Sequence, residues 1–255
     1  MVDIHCHILH SIDDGAKDLA ASLEMCRVAV QNGIDKIVAT PHFLYFSKVE
    51  EFFEKRDTHI AELRNKIAAL GLRLQIFPGA EVAASDAMLR CEYLNRLTIN
   101  GTRYILLELP FTSTKEKKIY EYADYVFDCG LIPIIAHPER YEYTLKDYDI
   151  INNLADRGCL FQINIGSAIG QFGHRPSALS NAMIKNRLAD FLSTDAHYPH
   201  DRRSPDMAQM LSKMKGSISD EDKQYMTTIA PELVLQGRPL YDRQAQYIKK
   251  KLFSL

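Results

Sequence analysis

One unit recurs along this chain: a helical stretch, a glycine, a short apolar strand, then a histidine or an acid. Leu19, Leu23, Cys26 and Val30 share one face of a helix predicted over 18–32, and Gly33 stands where a terminating glycine belongs. The apolar run 34–40 follows and stops at Pro41-His42. The next helix carries Phe52, Phe53, Ile60, Leu63, Ile67 and Leu70 on one side and closes at Gly71, with Ser47 and Glu50 as a possible capping box. Strand 72–77 then runs into Pro78-Gly79-Ala80-Glu81. Near-continuous apolar strands alternating with helices are what a parallel sheet covered on both faces requires.

The rhythm continues. A short helical piece over 85–90 precedes strand 104–107, which ends at Glu108, and Ser113 with Glu116 offers a second capping box. A helix with Ile119, Tyr122, Val126 and Cys129 stops at Gly130, and strand 131–136 ends at His137-Pro138-Glu139-Arg140. Helix 147–157 stops at Gly158, strand 159–163 ends near Asn164, and helix 176–187 leads into strand 188–193 and Asp195-Ala196-His197. About seven strands are too many for a small open sheet and close to the eight or so of a (β/α) barrel. The lack of a glycine-rich phosphate loop after the first strand argues against a dinucleotide-binding sheet. Beyond residue 204 the pattern reads as helices over 204–215, 219–228 (Ser219 with Asp222 as a cap) and 240–253, the last ending in Lys249-Lys250-Lys251, with no linker and no second domain. Basic residues there complement a helix dipole, so they carry no binding claim.

Bulk properties narrow the function. A formal net charge of -2 gives no reason to expect nucleic acid or a membrane surface as partner. No apolar run is long enough to span a bilayer, and Asp3 and His5 stand where a signal peptide would begin. A cytoplasmic location is expected. The five cysteines form no CxxC pair and read as reduced, mostly buried thiols.

In a parallel barrel the C-terminal strand ends converge on one face. There stand His5 and His7, Asp14 in the loop that follows, His42, Glu81, Glu108, His137, and Asp195 with His197. His5/His7 and Asp195/His197 are spaced i, i+2, which on a strand aims both side chains at one point. Taken singly, each of these residues is more often a loop or core residue. Carboxylates crowded into one cavity are costly, however, unless cations share it. Imidazole and carboxylate donors without thiolate suit Mn²⁺, Fe²⁺ or Zn²⁺. Nine donors exceed the needs of one ion and imply two or three. Metal ions about 3.5–4 Å apart are a familiar means of hydrolysing phosphate esters.

These residues, taken with their neighbours, resemble a known family. His5-x-His7, Asp13-Asp14-Gly15, Thr40-Pro41-His42, Gly79-Ala80-Glu81, Glu108, His137-Pro138-Glu139-Arg140-Tyr141 and Ser193-Thr194-Asp195-Ala196-His197 are similar to the motifs of the PHP (polymerase and histidinol phosphatase) superfamily. Within it they are most similar to the bacterial capsule-type manganese-dependent protein-tyrosine phosphatases, over roughly residues 1–210. The resemblance implies a distorted (β/α)7 TIM-like barrel, one domain over 1–255, with a trinuclear centre at the strand C-termini. It implies one ion on His5, His7, Glu81 and Asp195, a second on Glu81, Glu108 and His137, and a third on Asp14, His42 and His197. Manganese is the expected ion, with Fe, Zn, Co or Mg able to replace it. Arg140 and Arg203 match the arginines beside the phosphate, Arg202 being the rival for the second, and guanidinium suits a phosphoryl oxyanion. The implied substrate is a phosphotyrosine protein, a bacterial tyrosine kinase of capsule or exopolysaccharide synthesis. The expected reaction is in-line attack by a metal-bridging hydroxide, with no residue assigned as general acid.

A small-molecule phosphatase such as histidinol phosphatase, a PHP-type nuclease and a non-enzymatic metal-dependent regulator are the alternatives. Cysteine-based phosphatase chemistry is excluded, because no cysteine has the Cys-x5-Arg spacing and Cys91 meets Arg96 one position early. Cys6, between the two histidines, faces the other way on its strand. Phe43, Tyr45, Phe46, Tyr141, Tyr143 and Tyr198 follow ligands closely, and are either rim residues for an aromatic substrate or packing residues.

Overall fold

The computed structural model describes residues 1–112, 115–214 and 218–249. Ser113 of the expected capping box, the end of the expected 204–215 helix, and Lys250 and Lys251 lie outside them. The strands are β1 (Val2–Cys6), β2 (Lys36–Ala39), β3 (His42–Phe43), β4 (Gln75–Pro78), β5 (Glu81–Ala83), β6 (Tyr104–Glu108), β7 (Ile132–Ala136), β8 (Leu160–Asn164) and β9 (Phe191–Ser193). The helices are α1 (Leu19–Gln31), α2 (Val49–Ala69), α3 (Glu116–Asp128), α4 (Asp149–Asp156), α5 (Ile165–Ala168), α6 (His174–Lys185), α7 (Met207–Lys213), α8 (Asp220–Gln224) and α9 (Ala230–Leu235).

All pairings between these strands are parallel. One sheet runs β1-β2-β4 and the other β3-β5-β6-β7-β8-β9. The second and third strands of the sequence reading are each broken in two, β2 into β3 at Thr40-Pro41 and β4 into β5 at Gly79-Ala80. Proline has no N–H to give to a ladder, so Pro41 interrupts the strand, while its carbonyl still accepts from the Glu81 N–H at 3.1 Å. His42 and Glu81 therefore open a second strand segment, paired side by side, and do not close the first. At the other edge β1 meets the segment after β9. Cys6 pairs with Ala196, Asp195 N–H donates to His5 O at 2.9 Å, and His7 N–H donates to Ala196 O at 2.8 Å.

The apolar strand bodies and the inner faces of the helices form one continuous core. Gly33, Gly71, Gly130 and Gly158 all take positive φ (+77°, +65°, +75° and +91°) at the helix ends where the sequence put them. Asp18 caps α1 by accepting from Ala21 N–H, and Ser219 caps α8 through Asp222.

Other expectations fail. Ser47 sits inside a 3₁₀ turn leading into α2, so it caps nothing. The cap position of α3 is Lys115, whose side chain makes no capping hydrogen bond. Residues 85–90 hold only a 3₁₀ turn, Met88–Arg90. The expected 219–228 helix is α8 followed by a π-helical turn, Tyr225–Ile229, and α9. Residues 240–249 are not helical. They form a strap held by tertiary bonds: Gln246 N–H to Asn186 O, and a two-way pair between Asn152 and the Ile248 backbone. Among the described residues no helix is long and apolar enough to cross a membrane. The cysteines are unpaired, and only Cys129 is exposed.

Candidate metal centre

All nine residues marked in the sequence meet at one end of the sheets. His5 Nε2 and His7 Nε2 lie 3.2 Å apart, and each is 3.1 Å from Glu81 Oε2 and 3.5 Å from Asp195 Oδ1. His5, His7 and Glu81 form one compact donor group, and His5 and Asp195 form another with His137. Donors sharing one ion at about 2.1 Å stand about 3.0–3.4 Å apart, and the His5, His7 and Glu81 spacings of 3.1–3.2 Å fall in that range.

The other oxygen of Glu81, Oε1, is 2.9 Å from His137 Nε2, which is 3.5 Å from Glu108 Oε1. Glu81 thus faces two groups of donors and is placed to bridge them. Asp14 Oδ1 lies 3.5 Å from His42 Nε2 and 3.3 Å from His197 Nε2. The grouping is more interwoven than the implied one. His7 also lies within 4.8 Å of the Asp14, His42 and His197 donors, and the other ring nitrogen of His42, Nδ1, is 3.1 Å from Glu81 Oε2 and 3.9 Å from Glu108 Oε2.

Buried polar atoms give a second test of fit. Glu81 Oε2, His42 Nδ1, His137 Nδ1 and His197 Nε2 are among the buried side-chain atoms with no hydrogen-bond partner, others lying away from the centre at residues such as His59 and Asp206. Such atoms are rare because each costs the desolvation of an unmet polar group. Three of the four point into the donor cluster, and a cation there satisfies them. His137 Nδ1 is left without an account.

The electrostatics agree. Burial opposes charge on His7, but Asp13 and Glu81 outweigh it and raise its pKa well above the ordinary imidazole value. His5 is raised too, burial being outweighed by Glu81 and Asp195. Burial would raise Glu81 and Asp195, yet His5 and its neighbours hold both well below the usual carboxylate range. Burial and the Glu81 charge push Glu108 up to about 7. Burial and the neighbouring His7 charge lower His197. Glu81 and Asp195 thus draw positive charge onto His5 and His7, while Glu108, His137 and His197 are pushed toward their neutral forms.

Local backbone explains the aim of two ligands. His137 and Asp195 take left-handed conformations, with φ of 30° and 52°. For a non-glycine residue this costs of order 1–3 kcal/mol, and it turns the chain sharply at the strand end. The loop after His7 folds back so closely that a Cβ on Gly15 would lie 2.3 Å from His7 O.

A second layer, not marked in the sequence reading, orients the first. Asp13 Oδ2 is 2.7 Å from His7 Nδ1 and accepts from His42 N–H at 2.9 Å. Gln162 Oε1 lies 2.8 Å from His5 Nδ1, Gln162 Nε2 donates to Asn164 Oδ1, and Asn164 Nδ2 donates to Asp195 Oδ2 at 2.7 Å. The signal was there to read: Gln162 and Asn164 sit two apart on an otherwise apolar strand, in phase with each other.

Both arginines reach the centre. Arg140 Nη1 is 3.0 Å from Asp195 Oδ2 and Arg203 Nη2 is 2.8 Å from Asp195 Oδ1. Arg202 instead lines a polar groove with Glu24 and His200. The Arg140 guanidinium lies 5.1 Å from the Phe111 ring centre and 5.3 Å from that of Phe172, and Phe111 also stacks on His137. Of the suspected rim aromatics, Phe43, Phe46 and Tyr141 are buried. Tyr141 donates its hydroxyl to Ala136 O and accepts from Leu109 N–H, tying β6 to β7. Tyr45, Tyr198 and the unforeseen Phe111 remain exposed around the mouth. Burial raises the Cys6 thiol well above its ordinary pKa, and Cys6 Sγ faces the Ala196 carbonyl.

The chain is similar to known tyrosine-protein phosphatases. The family model described as "Capsular polysaccharide synthesis, CpsB/CapC" matches residues 1–236. The tyrosine-protein phosphatase YwqE of Bacillus subtilis is 34% identical, covering 100% of this chain and 99% of its own. A crystal structure from the pair YwqE of Bacillus subtilis and CpsB of Streptococcus pneumoniae, described as unique metal-dependent tyrosine phosphatases, is 31% identical. It superposes with a TM-score of 0.83 over 98% of this chain and 100% of that one. The histidinol phosphate phosphatase of Lactococcus lactis shares the fold, with a TM-score of 0.51 at 16% identity over 84% of this chain and 93% of that one.

Proposed function

The chain belongs to the CpsB/CapC family, and from that premise we propose that it is a metal-dependent protein-tyrosine phosphatase. The observation that carries this is the convergence of nine imidazole and carboxylate residues on one mouth, with Arg140 and Arg203 gripping the two oxygens of Asp195 beside it. The chain from 1 to 255 is read as one such domain.

His5, His7, Glu81 and Asp195 would hold one ion, Glu81, Glu108 and His137 a second, and Asp14, His42 and His197 a third, with His7 and His42 shared at the margins. Manganese is the metal proposed, on the resemblance to the capsule-type phosphatases, the donor set itself suiting Mn²⁺, Fe²⁺ or Zn²⁺. Bound metals supply Lewis acidity toward phosphoryl oxygens and a source of nucleophilic hydroxide at neutral pH.

The chain's own residues do the rest. Arg140 and Arg203, each about one-quarter exposed, present N–H donors at the mouth where a phosphoryl group enters. Asp195 holds both guanidinium groups in place, and Phe111 and Phe172 restrict that of Arg140. Exposed Phe111 and Tyr198 offer ring faces to an aromatic leaving group. A phenolate with a pKa near about 10 departs without a strong general acid. A bacterial tyrosine kinase of capsule or exopolysaccharide synthesis is the assigned substrate. The cytoplasm is the assigned compartment, which suits five unpaired cysteines.

Purified protein loaded with manganese should hydrolyse a phosphotyrosine peptide and leave histidinol phosphate and single-stranded DNA intact. Turnover of histidinol phosphate without action on phosphotyrosine would overturn the substrate assignment.

A further inference from the structure

Beside the metal centre lies a cleft of about 470 Å³ whose inner wall is Asp14 and His42. Its remaining walls are Ile12, Leu44, Tyr45 and Phe52, with Lys48 and Lys55 at the rim. The volume falls within the ~300–1,000 Å³ range of sites that enclose small ligands or single side chains. Leu44 is 48% exposed and Tyr45 67% exposed, although both follow directly on the buried Phe43. Large apolar side chains left in water next to a reactive centre mark a contact surface. The floor is firm, because Phe52 packs edge-on against Phe43 with ring centres 4.9 Å apart. At the outer rim Lys48 and Lys55 share Glu51, at 4.0 and 3.6 Å, two cations to one acid, while Asp13 and Asp14 lie at the end of the cleft that meets the metal centre.

We propose that this cleft is a subsite for a large apolar side chain flanking the phosphotyrosine of a peptide substrate, and that Lys48 and Lys55 select against a basic residue there. The inference rests on the phosphotyrosine reading of the metal centre. It follows from continuity, since the wall that holds His42 and Asp14 toward the metals is also the wall of the cleft. A peptide whose phosphate sits in the centre must lay a neighbouring residue along it. An apolar side chain covers Leu44, Tyr45 and Phe52, whereas a lysine meets like charge at the rim.

The test is a set of phosphotyrosine peptides carrying Phe, Gly or Lys at each of the two positions on either side. At one position the manganese-loaded protein should show at least a tenfold higher kcat/KM for Phe than for Lys. Lys48→Glu/Lys55→Glu should raise the Lys peptide relative to the Phe peptide by about tenfold, a gain that misfolding cannot produce. Tyr45→Ser should lower the preference for Phe over Gly. Equal turnover of Phe and Lys peptides at every position overturns the subsite alone. No turnover of any phosphotyrosine peptide overturns the phosphatase reading and this inference with it. If Tyr45→Ser changes oligomeric mass and not peptide discrimination, the face belongs to a second copy of the chain and the proposal fails.

Discussion

Glu81 has the most concentrated role of any residue here, with one oxygen facing His5, His7 and His42 and the other facing His137. Its position after Gly79-Ala80 was legible because an acid at the end of an apolar strand is conspicuous. Asp13 was not, because adjacent acids in a loop look alike, and only the fold shows that Asp14 faces inward while Asp13 holds the far nitrogen of His7. Partners of this kind typically tune metal affinity 10–100-fold. Asp13→Asn should therefore weaken metal binding by about 10–100-fold in a chelator competition, with the fold intact by circular dichroism. Glu139 allows a pH prediction. It is fully buried and accepts from Asn164 N–H, and burial pushes its pKa from 4.5 to about 7. The folded state thus holds a proton that the unfolded chain has released. The stability this gives is complete below about pH 4.5 and is lost as pH rises through about 7. Glu139→Gln removes that loss. In urea unfolding it should gain on the parent between pH 5 and pH 8 by up to about 3 kcal/mol. A stability difference that does not change with pH would contradict the assignment.

The elements that were legible are those whose pattern is local. A helix stopped by glycine and a strand of Val, Ile and Leu announce themselves, and α1, α3 and strands β6 to β9 lie within a few residues of where the sequence put them. What was missed depends on distant contacts. Residues 240–249 carry no helix because their backbone is bonded to Asn152 and Asn186 elsewhere in the fold. Tertiary partners override a weak helical tendency there. The broken strands β2/β3 and β4/β5 also escaped notice, although Pro41 and Gly79 sit at the breaks. The loop from His7 to Gly15 is the element on which the centre is most dependent. A methyl group at Gly15 would meet the His7 carbonyl at 2.3 Å and His7 Cβ at 2.6 Å, and backbone cannot yield as a flexible side chain does. Gly15→Ala should displace both the loop and His7, lowering metal content by at least one ion per chain. Unchanged stoichiometry by elemental analysis would show that the close approach does not matter.

At the scale of the whole molecule, a parallel fold gathers residues that are up to 192 positions apart in sequence, from His5 to His197, at one end of its strands. That convergence could be inferred from the repeating unit alone, whereas the sharing of His7 and His42 between donor groups could not. The apolar strand bodies make the scaffold, and the polar ends make a charged cavity whose donor clusters are compatible with bound cations. Measuring bound metal by elemental analysis alongside hydrolysis of a phosphotyrosine peptide, before and after complete chelation, tests this most directly. The structure predicts two or three ions per chain, loss of turnover in step with their removal, and recovery when Mn²⁺ is restored. Turnover that survives complete removal of metal would contradict it.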